Sequence, residues 1–304
     1  MQGLSILKDP ETAQLYTYAF LAGLPVVIMC GVLSVLVVVK RLGFVGQGIS
    51  HSAFGGVGLA AVLAAIGWLP RMEPWAGPAQ LMVVAAFCVL GAWGMGMVSD
   101  RRTLPVDTAI GVFLVGSMAA GAIMVQAART IAERNGRPGI MQTWESILFG
   151  SIVGVGPMDA IVGAATGAVV LAGAWWVRRP LLFWCLDEES SRAFGIRTRI
   201  MKLVLMTLLA IAVVTAMKLT GVILATALLA LPGATALRLS SRLYVCIGLS
   251  VLISVIGLLG GLLLSIATDW PAGPGIVVVL AAMFAAAMVY AKASARAATA
   301  PSPA

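Results

Sequence analysis

The chain has 304 residues, of which 61% are hydrophobic and 11% charged, with a net charge of +8. Soluble domains are about 45–50% apolar and about 25% charged. A water-soluble enzyme and a soluble nucleic-acid-binding module are therefore excluded, and the positive balance reads as loop charge on one side of a bilayer. What remains is an all-α fold, a polytopic membrane helical bundle.

Asp9, Pro10 and Glu11 precede the first apolar run, without the basic start of a cleaved signal peptide. Nine apolar segments follow: Tyr16–Val39, Val45–Ile66, Gln80–Met97, Thr108–Gln126, Met158–Val177, Ile200–Met217, Gly221–Leu237, Leu243–Ile266 and Gly275–Ala291. A span needs ~20 apolar residues, so these predict eight or nine transmembrane helices.

The second segment carries His51, the chain's one histidine, and Gln47 four residues before it. That spacing sets both on one helix face, and Gly43, Gly55 and Leu59 extend the row. An ionisable group at membrane depth points to function, and imidazole is a common transition-metal ligand. The same stripe also suits a close helix crossing in which the two side chains bond across helices. Gln47 brings no charge, so the pair alone is no tight divalent site.

Asp107 reads as the N-cap of the fourth segment. Thr143–Ile152, with Glu145, reads as an interfacial or re-entrant piece, and Asp159 as a first-turn acid of the fifth segment. The loop 178–199 is the longest basic-side connection. Within it Asp187, Glu188 and Glu189 can open a short helix, Ala193 and Phe194 give that helix an apolar spot, and Gly195 can stop it. Such an element can dock into a groove on a partner protein or lie on the membrane surface. Asp269 sits in the turn before the last segment. Residues 292–304, rich in Ala, Ser and Pro, read as a disordered tail beyond a core at 16–291.

If the loop after the first segment is cytoplasmic, the far side holds only Lys8, Arg71, Arg129, Arg134, Arg137 and Lys218 of the 20 Lys and Arg residues. That bias predicts the N-terminus outside and the C-terminus inside. Cys30, Cys88, Cys185 and Cys246 form no C-x-x-C pair, so neither a disulfide framework nor a zinc knot is indicated. No Walker A loop is present, and one histidine in an apolar span supports no Ser-His-Asp triad.

Six pieces in order resemble the ABC-3 family, the permease subunits of bacterial ABC importers for zinc, manganese or iron. They are Arg41-Leu42-Gly43-Phe44-Val45-Gly46 leading into Ser50-His51-Ser52, Asp107-Thr108-Ala109-Ile110-Gly111, Leu148-Phe149-Gly150, the Asp187…Ala193…Gly195 loop, the run from Met217 through Leu231-Pro232-Gly233 to Ala236, and Asp269-Trp270-Pro271-Ala272-Gly273-Pro274. The resemblance implies a single permease domain over 1–304 in the bacterial cytoplasmic membrane. It implies a second permease copy or paralogue, a cytoplasmic ABC ATPase subunit and an extracytoplasmic metal-binding protein as partners, and no nucleic acid. The chain itself would be no enzyme and hold no cofactor; a divalent metal ion would be its cargo, and ATP would be used by the partner. His51 and Gln47 would line the metal pathway, and Asp187, Glu188, Ala193, Phe194 and Gly195 would form the ATPase-contact loop.

Two departures bear on that reading. The family pattern has an acidic residue four positions before the histidine, and here that position is Gln47; many relatives carry Asp where Ser151 stands. Desolvating a divalent ion without carboxylates is costly. The loss leaves open transient metal passage, carboxylates supplied by a paralogue, or a metal complex of the siderophore, haem or cobalamin class as cargo. A secondary transporter is the remaining alternative, but its coupling ions call for more intramembrane acids than this chain has.

Overall fold

The computed structural model describes residues 10–69, 78–98, 105–135 and 156–299. These form α1 (Pro10–Val39), α2 (Val45–Ile66), α3 (Pro78–Val98), α4 (Val106–Arg134), α5 (Pro157–Trp176), α6 (Arg178–Leu186), α7 (Glu188–Ala193), α8 (Thr198–Leu239), α9 (Leu243–Thr268) and α10 (Ala272–Thr299). All but α6 and α7 are long and apolar enough to cross a membrane, eight helices in all. The described chain is all-α, a multi-pass membrane protein. Glu145, Ser151, the Thr143–Ile152 stretch and Leu148-Phe149-Gly150 lie outside the described residues.

Eight helices accommodate nine apolar segments because α8 holds two of them. It has 42 residues, which would reach ~63 Å if straight, twice the ~30 Å of a hydrocarbon core. It is not straight: Gly221 adopts φ 82° and ψ 167°, a conformation open essentially to glycine alone. Contacts on either side of Gly221 show that the chain doubles back. Leu208 meets Gly173 of α5, and Leu219 meets Gly163 earlier on α5, so the first half of α8 runs antiparallel to α5. Gly163 and Gly167 pair with Ala22 and Pro25 of α1, so α5 and α1 run parallel. Past the break, Gly233 lies against Ser34 of α1, deeper along α1 than the level of Leu219. The second half therefore returns parallel to α1, and Gly221 is the tip of a helical hairpin. Among the described residues, nine crossings put the start of α1 and the end of α10 at opposite ends of the bundle.

The centre of the bundle is α1, α2 and α8, whose most apolar windows are 67%, 72% and 61% buried, whereas α4 is 17% buried. Small residues let the helices approach. A Cβ on Gly233 would sit 2.5 Å from the Ser34 carbonyl carbon, and one on Gly261 would sit 2.4 Å from Ile276 Cα. Pro232 interrupts the α8 ladder, and the Gly233 N–H beside it donates to Ser34 Oγ at 2.8 Å. Ser250 likewise donates to the Gly31 carbonyl at 2.7 Å, fastening α9 to α1. All four cysteines are free and buried.

Two expectations change at helix ends, and a third holds. The N-cap of α4 is Pro105, and Asp107 sits inside the first turn, where a carboxylate still favours the helix dipole. The last helix continues through Thr299, so 292–299 are helical rather than a disordered tail; Ala has the highest helix propensity, and that stretch is rich in it. Asp159 does sit in the first turn of α5, where it accepts the Gly156 N–H at 3.2 Å and pairs with Lys218 of α8 at 2.8 Å.

Candidate functional site

α1 passes into α2 through a tight turn held by backbone hydrogen bonds. Leu42 N–H donates to the Val37 carbonyl at 2.8 Å, Val45 N–H to Leu42 at 2.9 Å, and Gly48 N–H to Phe44 at 2.9 Å. Arg41 takes a left-handed φ of 55° to close it. The rotation of α2 is then set by glycines pressed against its neighbours. A Cβ on Gly58 would meet the Gly121 carbonyl of α4 at 2.7 Å, one on Gly55 would meet Phe87 of α3 at 2.6 Å, and one on Gly46 would meet Leu229 of α8 at 3.1 Å. Gly55, read from the sequence as extending the polar row, is thus a packing position.

That fixed rotation decides where the polar pair points. Gln47 is exposed, and His51 is half-buried one turn further along the same face. The His51 ring stacks on Phe54, centroids 5.8 Å apart and planes 18° from parallel. Its Nδ1 is buried without a hydrogen-bond partner among the described residues. The pair offers one imidazole and one amide oxygen, a neutral donor set. Among the described residues no three His, Cys, Asp or Glu side chains gather where they could hold a metal ion. Such a face can solvate a passing cation; by itself it cannot neutralise one.

The second candidate element lies at the end of the bundle where α1 finishes. Asp187 caps α7, its carboxylate accepting the Ser190 N–H at 3.0 Å and the Ser190 hydroxyl as well. Gly195, at φ 78°, ends the element. These bonds from Ser190 hold the Asp187 carboxyl below the usual range. At Glu188, burial opposes ionisation, but hydrogen bonds and charge from Lys40 (3.2 Å) and Arg192 (2.8 Å) outweigh it and lower its pKa. Lys40 also lies 3.9 Å above the Trp184 ring centroid. Burial pushes the Cys185 thiol up to about 12, so it stays protonated and inert. Phe194 packs edge-on to Phe183 at 5.6 Å yet remains 78% exposed. α7 is a short, braced surface helix presenting an aromatic ring.

The description of the ABC 3 transport family matches residues 12–291. The chain belongs to the ABC 3 transport family. Within it, the chain is 29% identical over 282 residues to the manganese transport system membrane protein MntC of Halalkalibacterium halodurans, covering 91% of this chain and 89% of that one. It is 26% identical to the high-affinity zinc uptake system membrane protein ZnuB of Haemophilus influenzae, over 88% and 94% of the two chains. Its fold matches the solved structure of PsaBC from Streptococcus pneumoniae in complex with Fab at a TM-score of 0.74, with 26% identity and 94% of each chain covered.

The ABC 3 match runs from α1 into α10 and includes both the α2 row and α7. Sequence reasoning assembled the members of each element but did not join them to the rest of the bundle. Lys40 counted only as loop charge, and Lys218 only as a residue of the far side. Their partners Glu188 and Asp159 lie far away in sequence, and no local spacing signals either pair.

Proposed function

We propose that this chain is the permease subunit of an ABC importer that moves a divalent metal ion, manganese, zinc or iron, across the bacterial cytoplasmic membrane. The observation that carries the reading is the end-to-end fold match with PsaBC at 26% identity, supported by full-length relatives named for manganese and zinc transport. The ion is cargo, and the chain holds no resident cofactor. ATP is hydrolysed by a separate ATPase subunit that docks on α7, with Asp187, Glu188, Ala193, Phe194 and Gly195 at the contact. An extracytoplasmic binding protein delivers the ion at the opposite end of the bundle, where α1 begins, and a second permease copy or paralogue completes the pathway. The N-terminus lies outside and the C-terminus inside, in line with the distribution of Lys and Arg.

The exposed face of α2 supports Gln47 and His51 as pathway residues. Cargo touches them in transit, and the uncharged pair favours release over retention. A permease for metal chelates is the second reading, and the neutral Gln47 is what favours it, since a pre-coordinated metal needs no carboxylates from the protein. One experiment separates them: uptake of free Mn(II), Zn(II) and Fe(II), each against its siderophore or haem complex, by a transport-deficient host expressing the whole operon. The main reading expects uptake of at least one free ion. Uptake of complexes alone moves the assignment to the chelate class, and no uptake of either rejects both.

A further inference from the structure

Lys40 sits in the turn between α1 and α2, and its side chain reaches Glu188 of the proposed ATPase-docking helix. Its Nζ is 3.2 Å from Glu188 Oε2 of α7 and 3.9 Å above the ring of Trp184, which is itself 3% exposed. The Lys40 side chain is 14% exposed against 40% for Glu188, so the ammonium end of the contact is shielded from water and the carboxylate end is partly open. Arg192 holds the other Glu188 oxygen at 2.8 Å and reaches Thr198, the first residue of α8, at 3.3 Å. On the other side, the Lys40 backbone is the first link of the hydrogen-bonded turn that ends in α2. From Val45, where α2 begins, His51 is ~9 Å further along a rigid helix. The α2 rotation is locked by glycine contacts to α3, α4 and α8.

We propose that Lys40 is a positioning residue for transport: its joint to Glu188 and Trp184 couples displacement of α7 to displacement of α2, and so to the Gln47–His51 face. This rests on the permease reading above. The argument is mechanical. A surface helix moves a membrane helix only through contacts that hold while it moves. A shielded ion pair stacked on a buried indole is such a contact, whereas an exposed pair is screened and weak. The α2 end of the joint is short and held by successive backbone hydrogen bonds from Lys40, Arg41, Leu42 and Val45, so little of the displacement is lost to bending. The link to Thr198 gives α8, which borders α2 at Gly46, the same input.

The test uses the complete complex, permease with its ATPase and binding protein, in proteoliposomes with Mn(II) as the probe. Three quantities are read: ATPase co-purification, ATP hydrolysis, and Mn(II) moved per ATP. Lys40→Met is expected to retain the ATPase and its hydrolysis while Mn(II) moved per ATP falls at least about fivefold, the lower end of a typical coupling between sites. Lys40→Arg, which keeps the charge, is expected to restore most of the ratio. Glu188→Gln, at a residue that also belongs to the ATPase contact, is read only by Mn(II) moved per ATP in complexes that retain the ATPase; that ratio is expected to fall as in Lys40→Met, and in the double variant to be no worse than in either single one. If Lys40→Met fails to reach the membrane, Lys40→Gln, which also removes the charge but keeps a polar end, carries the same test. A wild-type ratio in Lys40→Met, or in Lys40→Gln where that variant replaces it, overturns the proposal. So does parallel loss of ATPase binding and hydrolysis, which would make the joint part of the docking surface. A wild-type complex that moves no Mn(II), Zn(II) or Fe(II) defeats the permease reading itself, and the inference with it, whatever the variants do.

Discussion

At the residue scale, His51 is set apart by what surrounds it. A buried polar atom normally has a partner, and His51 Nδ1 has none among the described residues. The neighbour on its row is an exposed amide rather than a carboxylate. Two predictions follow the chemistry. His51→Ala should lower metal uptake several-fold while membrane abundance stays unchanged; uptake kinetics identical to wild type would remove His51 from the pathway. Gln47→Asp adds the missing charge and should raise equilibrium binding of radioactive Mn(II) to the purified complex. Binding no tighter than wild type would mean that the neutral amide is not what keeps the site weak. The sequence disclosed both residues and their shared face, because an i, i+4 spacing is local. The half-burial of the ring and the packing role of Gly55 depend on α3 and α4, so the sequence could not show them.

At the element scale, α7 and α8 carry the argument. The cap at Asp187, the apolar ring at Phe194 and the stop at Gly195 were legible, since caps and C-terminal glycines follow local rules. The Lys40–Glu188 pair spans 148 residues and was not. Phe194→Asp should leave the bundle intact, because the ring is largely exposed, and should abolish the response of ATP hydrolysis to the loaded binding protein. A complex that assembles and responds normally would refute docking at this helix. The bracing of α7 should also depend on pH. Glu188 titrates below its ordinary value of 4.5, so its contribution is complete above that value and is lost as pH falls through the lower folded-state one. Limited proteolysis near α7 should therefore be steady at neutral pH and rise only in acid; cleavage that is flat through this range would show that the pair does not hold the helix. For α8, the sequence marked two apolar segments parted at Gly221, and the backbone there explains why they do not merge into one rod. Gly221→Ala forces a side chain into a region that strains by about 1–3 kcal/mol. It should lower the thermal midpoint of the detergent-purified protein, and an unchanged midpoint would deny the hairpin.

At the scale of the whole molecule, the number of crossings matters more than the number of helices. Eight continuous spans would bring both termini to one end. Among the described residues the reversal at Gly221 makes nine and sets the start of α1 and the end of α10 at opposite ends. Composition and periodicity were enough to reveal an all-α membrane bundle, because bilayer thickness dictates span length. They could not reveal that α1, α2 and α8 form its centre, since every span is apolar and hydropathy does not distinguish lipid from protein as a neighbour. Nor could they separate transport driven by a partner ATPase from secondary transport except through the scarcity of membrane acids; membership of the ABC 3 transport family supports the ATPase-driven reading proposed above. The most direct measurement of the central claim is Mn(II), Zn(II) and Fe(II) accumulation in proteoliposomes holding the complete complex, with and without ATP on the α7 side. The account predicts accumulation of at least one of these ions that requires ATP and disappears when this chain is omitted. Accumulation that is independent of ATP, or that persists without this chain, would contradict it.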